Sequence, residues 1–303
     1  MRYKSVEVQV PAKVNLQLSV GPKESDGYHQ VVTVFQAVSL YDRIKISAGE
    51  EFNISVSGDY IHGVPLDQSN LVHKAVQLMA QKFDTDSKLN VEIDKSIPVA
   101  GGMAGGSADA AGTLLAIDHI YGLGLSKDEL SDVAKKLGSD VPFMLHGGTA
   151  VGRGHGDEIT PALSRGNYHW VIAVSSAGLS TPAVYGECDR LRTGLDIKAP
   201  SLNEELLQAL LSGDAVRVGK SLSNDLQPAA CYIRPALRLI LDMGQEYGAL
   251  GGIVSGSGPS VAFLVADEDH SLDLAVALTS SGVVGSVARA EGPVHGAKVI
   301  AVN

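Results

Sequence analysis

The sequence predicts a mixed fold of strands and helices divided into two domains. Its 303 residues exceed the length at which a single hydrophobic core usually stops growing. Polar and apolar residues alternate in several stretches before residue 60, as in strands, whereas apolar positions three or four apart recur after Asn70, as in helices. A polar, glycine-rich stretch ends shortly before an apolar strand at Trp170, so we predict domains at 1–160 and 161–303.

Each predicted element follows from a local signal. Three helices start at Ser69-Asn70, at the glycine-rich loop before residue 107, and at the capping box Ser126-x-x-Glu129, which Gly138 stops. Apolar periodicity adds helices around 203–220 and 235–247. Alternating or short apolar runs predict strands at 5–10, 14–20, 31–46, 52–56, 89–93, 170–174 and 261–265.

The composition excludes several classes of protein. A formal net charge of −10 argues against general nucleic-acid binding, because a protein that binds the phosphate backbone needs a basic face. Cys188 and Cys231 lie far apart and outside any CxxC pattern, so neither a disulfide framework nor a zinc site is indicated. The sequence shows no basic-then-apolar leader and no apolar run of about 18 residues. We expect a cytoplasmic protein that binds neither nucleic acid nor a membrane.

The first long strand has a polar face with two interpretations. Val14, Leu16, Leu18 and Val20 share one face, which places Lys13, Asn15, Gln17 and Ser19 on the other. A polar strand face is most often solvated. The alternative is that Lys13 and Asn15 share a ligand.

The loop at 101–106 has four glycines in six positions and runs directly into a helical pattern. Glycines let backbone N–H groups turn towards an anion, and a helix N-terminus adds further donors and a positive dipole end. The alternative is a turn that only needs close packing. A Walker loop would require a lysine before Ser107, and a dinucleotide loop would require glycine in place of Met103, so neither common fingerprint fits.

Asp140 lies just after the helix stop at Gly138 and just before Pro142. An acid in that position is most often a helix cap, and a chemical role is the alternative. Other catalytic patterns fail on spacing, because the nine histidines form no HExxH motif or clustered pair. A nucleophile elbow requires glycine two residues after its serine. Asp109 stands at that position, so Ser107 does not fit the motif.

The glycine loop resembles the phosphate loop of the galactokinase, homoserine kinase, mevalonate kinase and phosphomevalonate kinase (GHMP) superfamily, through Pro98-x-x-x-Gly102-Met103-Ala104-Gly105-Gly106-Ser107-Ala108. Further motifs resemble the members of that superfamily that act on a cytidyl-linked substrate, namely Pro11-Ala12-Lys13-Val14-Asn15-Leu16, Asp26-Gly27-Tyr28-His29, Gly138-Ser139-Asp140-Val141-Pro142-Phe143 and Ser255-Gly256-Ser257-Gly258-Pro259. The resemblance therefore covers nearly the whole chain.

This resemblance implies an α+β fold, with an N-terminal ATP-binding domain whose helices lie over its sheet and a C-terminal ferredoxin-like α/β sandwich. The active site is then expected in the cleft between the domains. The implied activity is ATP-dependent phosphorylation of the 2-hydroxyl of a cytidine diphosphate-linked methylerythritol, a step of non-mevalonate isoprenoid synthesis. The alternative within the superfamily is a kinase of homoserine or mevalonate, which the Asp26-to-His29 motif opposes because those substrates have no base to stack. A catalytically inactive nucleotide-binding relative is opposed by the retention of Lys13 and Asp140.

The resemblance also assigns roles by matching positions. Asp140 is expected as the acid–base residue and Lys13 as its cationic partner. ATP and Mg²⁺ are expected as cofactors, with Ser107 as a candidate Mg²⁺ contact, and the chain as a monomer or weak homodimer. The cytidyl substrate is expected at Asn15, Tyr28, His29, Thr181 and Tyr185. ATP is expected at Asn70, Lys95, Pro98, Val99, Ala100, Gly101, Gly102, Met103, Ala104, Gly105, Gly106, Ser107 and Ala108.

Two positions depart from the pattern of the superfamily. Ala104 stands where many members have glycine, and Ala108 where many have a second serine. The first substitution is expected to stiffen the loop. The second leaves Ser107 as the hydroxyl nearest the phosphates.

Overall fold

A computed structural model describes residues 1–99, 101–175 and 178–303. The strands are β1 (Ser5–Lys23), β2 (His29–Ala48), β3 (Asn53–Gly58), β4 (Leu89–Lys95), β5 (Thr149–Arg153), β6 (Glu158–Pro161), β7 (Tyr168–Val174), β8 (Ser223–Asn224), β9 (Gly251–Val254), β10 (Val261–Val265), β11 (Ser286–Gly292) and β12 (Lys298–Val302). The helices are α1 (Leu71–Phe83), α2 (Gly105–Tyr121), α3 (Lys127–Ala134), α4 (Val141–His146), α5 (Thr181–Leu191), α6 (Glu204–Ser212), α7 (Ala215–Lys220), α8 (Gln227–Ile233), α9 (Ala236–Glu246) and α10 (Glu268–Ser280).

The first sheet is built around a long antiparallel pair, β1 and β2, in the order β12-β1-β2-β4-β3. The two runs predicted at 5–10 and 14–20 form one strand, because the chain continues through Pro11 with a register shift instead of turning. The apolar face of β1 packs against α2, whose interior residues are mostly buried. A helix buried on nearly all sides needs the small residues that α2 contains, such as Ala110, Ala111 and Gly112.

The second sheet has the order β11-β7-β10-β9, and every pairing in it is antiparallel. If these four strands are numbered by their order along the chain, their order in the sheet is 4-1-3-2. Helices connect the first strand to the second, and α10 connects the third to the fourth. That is the β-α-β-β-α-β topology of ferredoxin-like sandwiches, as predicted.

The two sheets exchange chain segments. β8 and β12, both from the C-terminal half, pair with β1 of the first sheet. The chain therefore crosses between the two layers more than once after residue 161. The division into 1–160 and 161–303 stays a prediction.

Local helix signals agree with the structure in most places. The Asn70 side chain accepts from Val72 N at the start of α1, and Ser126 and Glu129 form the capping box of α3. The helix predicted around 203–220 is two helices, because Gly213 adopts a left-handed conformation and Asp214 caps a new start. Within the described residues, every helix is too short or too polar to span a membrane.

Candidate active site

Two adjoining cavities lie between the sheets, and both are lined by predicted site residues. The smaller, about 340 Å³, is bounded by the polar face of β1, the start of α2 and Asp140. The larger, about 660 Å³, is bounded by Tyr28, His29 and the first turns of α5. Thr181 and Tyr185 line both cavities, so the two cavities adjoin each other. Volumes of this size hold small organic ligands.

The polar face of β1 is buried, so the expectation of a solvated face is wrong. Lys13, Asn15 and Gln17 are each less than 5% exposed. Gln17 is covered by a segment of the C-terminal half, where it donates to Ser201 O and accepts from Asn203 N at 2.7 and 2.9 Å. Lys13 and Asn15 face the smaller cavity instead.

A chain of hydrogen bonds fixes Lys13. Its Nζ donates to Asn15 Oδ1 at 2.6 Å, and Asn15 Nδ2 donates to Thr33 Oγ1 at 2.9 Å. Thr33 in turn donates to Gln17 O at 2.6 Å. Each side chain in this series of hydrogen bonds has a partner, so the Lys13 ammonium is held in one place.

Asp140 comes from a distant part of the sequence to face Lys13. Its Oδ2 lies 3.8 Å from Lys13 Nζ, and its side chain is 31% exposed to the cavity. Within the described part of the chain the Asp140 side chain makes no capping hydrogen bond to α4. The interpretation of Asp140 as a helix cap is therefore wrong, and the carboxylate is free for another partner.

Burial lowers the pKa of the Lys13 ammonium below its usual value, and the nearby Asp140 carboxylate partly opposes this. A cation with a lowered pKa and a single carboxylate partner 3.8 Å away is a typical active-site arrangement. The pair can take up a proton at Asp140 and offset developing negative charge at Lys13.

The start of α2 forms one wall of the smaller cavity, through Gly105, Gly106 and Ser107. Among the described residues no side chain caps this helix, so its first N–H groups face the cavity. Ala104 precedes it in a left-handed conformation with φ +61°, which explains why glycine suits this position. The geometry matches an anion site at a helix N-terminus.

The loop itself is held by the C-terminal sheet. Ser255 Oγ donates to Gly102 O at 3.0 Å, and Ser260 N donates to Gly101 O at 3.3 Å. A Cβ at Gly102 would lie 2.2 Å from Ser255 O, so this contact requires glycine. Ser255, in the motif that ends at Pro259, and the next residue, Ser260, therefore hold the phosphate loop on the side of the C-terminal sheet.

The structure places several predicted ATP-binding residues away from the cavities. Within the described part of the chain, the cavity linings leave out Pro98, Val99, Met103 and Ala108, and Met103 and Ala108 are core residues. Asn70 uses both ends of its side chain within the protein, accepting from Val72 N and donating to Pro65 O. Ala100 lies outside the described residues.

Lys95 is also away from the cavities. It is 1% exposed and forms ion pairs with Asp42 and Asp109, the latter at 2.8 Å. Burial lowers the pKa of Lys95, but the two carboxylates together raise it above its usual value. Burial also raises the pKa of the Asp109 carboxyl, and the ion pair with Lys95 opposes this. With its ammonium occupied by two carboxylates, Lys95 has no support for the predicted direct contact with the nucleotide.

Aromatic side chains line the larger cavity. Tyr28 is 66% exposed, while Tyr185 is half-buried and its ring centre lies 5.1 Å from that of His29. Burial, with Asp140 and Cys188, raises the pKa of Tyr185 to about 12, so its hydroxyl stays protonated. Two tyrosines on one cavity are suited to a flat aromatic ligand.

Two residues of the site, Asp189 and Asn224, were missed by the sequence reasoning. Asp189 accepts from His29 Nε2 at 2.8 Å and so orients the imidazole. Asn224 donates to Gly256 O at 2.7 Å, and a Cβ at Gly256 would lie 3.3 Å from Lys13 Nζ. Asp189 lies on α5 like Tyr185, one helical turn later, and that i, i+4 spacing is the only signal that could have found it.

Comparisons with known proteins agree with this geometry. The family profile of the GHMP kinases N terminal domain matches residues 70–148, and that of the GHMP kinases C terminal matches residues 206–284. A 4-diphosphocytidyl-2-C-methyl-D-erythritol kinase of Rhodococcus jostii is 49% identical over 297 residues, which cover 97% of this chain and 95% of the relative. The chain belongs to the 4-diphosphocytidyl-2-C-methyl-D-erythritol kinase family of GHMP kinases.

Solved structures show how far the fold alone discriminates. A crystal structure of 4-(cytidine 5'-diphospho)-2C-methyl-D-erythritol kinase has a TM-score of 0.75 at 30% identity, covering 94% of this chain and 98% of the other. A homoserine kinase from Cytophaga hutchinsonii also has a TM-score of 0.75, covering 98% of both chains, but at 19% identity. The shared score shows a shared fold, and the sequence similarity separates the families. The predicted fold class, family and ATP-dependent phosphotransferase activity are confirmed.

Proposed function

We propose that this chain transfers the γ-phosphoryl group of ATP to the 2-hydroxyl of 4-diphosphocytidyl-2-C-methyl-D-erythritol in isoprenoid synthesis, with ADP as the second product. The observation that carries the proposal is the position of the Lys13–Asp140 pair. It lies in the cavity bounded by the start of α2, which adjoins the cavity bounded by Tyr28 and Tyr185. One cavity suits phosphates and the other suits a base, so the acceptor hydroxyl falls between them.

In the proposed reaction Asp140 acts on the acceptor hydroxyl. Its carboxylate accepts the proton as the hydroxyl oxygen forms a bond to the γ-phosphorus and the bond to the bridging oxygen of ADP breaks. Lys13 pairs with this carboxylate at 3.8 Å and offsets charge on the transferred phosphoryl oxygens. The N–H groups of Gly105, Gly106 and Ser107 hold the phosphates in line.

Mg²⁺ is proposed as the companion of ATP. Ser107 lines the cavity at the start of α2 and offers an oxygen donor of the kind that Mg²⁺ takes. Because Mg²⁺ usually keeps waters and substrate phosphates as ligands, a single protein hydroxyl fits such a site. When bound, the ion neutralises charge on the phosphate oxygens.

The larger cavity is proposed as the cytidyl site. Tyr28, Tyr185 and His29 line this cavity. Because a carboxylate only accepts hydrogen bonds, His29 Nε2 donates its hydrogen to Asp189. Stacking on tyrosine and contact with the imidazole would select a nucleobase. Asn15, beside Lys13, and Thr181, which shares a hydrogen bond of 2.8 Å with Ser257, lie nearer the reacting hydroxyl.

An ADP-release assay tests the proposal directly. The purified chain is given ATP and Mg²⁺ with the cytidyl-linked methylerythritol, with homoserine or with mevalonate. ADP release with the first alone is expected. Release with homoserine or mevalonate instead would replace the proposed substrate by one that needs no base site. The predicted cytoplasmic location and monomeric or weakly dimeric state stay predictions, and size-exclusion chromatography measures the second.

A further inference from the structure

A buried ionic cluster lies directly beneath the phosphate loop. It consists of Asp42 on β2, Lys95 at the end of β4 and Asp109 on α2, and all three are at most 3% exposed. Lys95 Nζ donates to Asp42 Oδ2 and, at 2.8 Å, to Asp109 Oδ2. One ammonium therefore bridges two carboxylates from different elements.

The cluster contacts the chain on both sides of the loop. Asp42 Oδ1 accepts from Ser96 N at 2.7 Å and from Ile97 N at 2.8 Å, which fixes the segment that leads into Pro98. On the other side, Asp109 lies in the second turn of α2, the helix that the loop enters. The cluster thus joins the beginning of the loop to the helix at its end.

The ammonium also lies close to the helix start itself. A Cβ built at Gly105, the first residue of α2, would be 3.2 Å from Lys95 Nζ. A larger residue at position 105 or a displaced Lys95 would therefore move the N–H groups that face the cavity. Hydrogen-bond donors for phosphate act only where they are held in position, and a displacement of 1 Å can cost about 10²-fold in rate.

The cluster is costly for a purely structural element. Asp109 Oδ1 is buried and has no hydrogen-bond partner within residues 1–99, 101–175 and 178–303. Three apolar residues of similar volume would often be as stable as a buried ion group. Its position against the loop, rather than its contribution to stability, accounts better for its presence.

We propose that Asp42, Lys95 and Asp109 are positioning residues for ATP, which set the affinity for its phosphates by holding the two ends of the phosphate loop together. The inference rests on the proposed function, which places the phosphates of ATP at this loop. None of the three touches the nucleotide. The contribution of Lys95 to ATP binding therefore comes from behind the loop, not from direct contact.

The test separates phosphate binding from adenosine binding. The double substitution Lys95→Met with Asp109→Asn removes the bridge while leaving Asp42 with its two backbone donors. We expect the inhibition constant of ADP against ATP to rise by about tenfold or more, since the loop ends are no longer joined. The inhibition constant of adenosine and the KM for the cytidyl substrate stay unchanged. Lys95→Arg, which can still donate to both carboxylates, restores ADP affinity to within a few-fold.

The matched control is a surface ion pair that joins the same two strands, β2 and β4. Lys45 on β2 and Glu92 on β4 form an exposed pair at 2.8 Å, and Lys45→Met with Glu92→Gln is expected to leave every constant unchanged. If the double variant of the cluster does not fold, the single substitution Asp42→Asn carries the test with the same expected pattern. Equal loss of ADP and adenosine affinity, or no loss of either, overturns the inference. If the unaltered protein binds ADP no better than adenosine, the placement of phosphates at the loop fails instead.

Discussion

Replacing Asp140 by asparagine is the most direct test of the proposed reaction. The substitution keeps the shape of the side chain and removes its charge, 3.8 Å from the Lys13 ammonium. At that separation two unit charges interact by about 4 kcal/mol at an effective dielectric constant of about 20, and by about 1 kcal/mol in water. Because Asp140 is 31% exposed, the interaction lies between these limits.

Two effects then act on turnover. The base is lost, which usually costs about 10²–10⁴-fold in rate. The pKa of Lys13, already lowered by burial, falls further because the opposing carboxylate is gone. We expect kcat to fall by at least about 10²-fold, and the residual activity to decline with rising pH earlier than in the unaltered protein, since Lys13 then loses its proton at a lower pH.

The assay measures ADP release over a range of pH, together with ATP affinity by displacement of a fluorescent nucleotide. ATP affinity is expected to change little, because the loop donors remain. Asp132→Asn is the control, since Asp132 is a 69% exposed acid in a surface pair with Lys135. An unchanged kcat would remove Asp140 from the mechanism. A loss of ATP affinity as large as the loss of kcat would mean that the substitution damages the loop.

Three further predictions concern the cytidyl site and the loop. Tyr28→Ala removes a stacking surface worth about 1–3 kcal/mol per base, so KM for the cytidyl substrate should rise far more than KM for ATP. Tyr28→Phe should keep KM for the cytidyl substrate low. Equal changes in the two KM values would contradict the assignment. Asp189→Ala leaves His29 Nε2 without its acceptor, so the same KM should rise several-fold with kcat retained, and an unaffected KM would mean that this contact has no role in binding. Ala104→Gly relieves a left-handed alanine that costs about 1–2 kcal/mol, and the added freedom of the unfolded chain offsets about 0.4–1 kcal/mol of this, so urea unfolding should show a gain of about 0–1.6 kcal/mol. A clear loss of stability would show that the alanine methyl group makes a favourable contact.

Local features of the fold were predictable because they depend on neighbours in sequence. The capping box at Ser126 and Glu129, the N-cap at Asn70 and the strand at Val261–Val265 all follow from patterns a few residues long. Continuity across Pro11 was not predictable in this way. Proline interrupts an isolated pattern, and only pairing with a second long strand shows that the chain continues straight through it.

The candidate site was predictable in its composition and less so in its contacts. Resemblance to GHMP kinases supplied Lys13, Asp140 and the loop, and the structure brings Lys13 and Asp140 within 3.8 Å of each other. It could not supply the state of Lys95, whose pairing with Asp42 and Asp109 depends on where three separate elements meet.

The periodicity of the elements, the glycine loop that precedes α2 and the motifs that identify the family can all be read from the sequence. These are properties of short stretches, governed by backbone preferences and side-chain spacing. Three features emerge only when the chain is folded: the polar face of β1 is buried, Asp140 faces Lys13 instead of capping a helix, and Asp189 orients His29. All three have the same cause. The environment of a polar side chain is set by the elements that pack over it, and those come from distant parts of the chain.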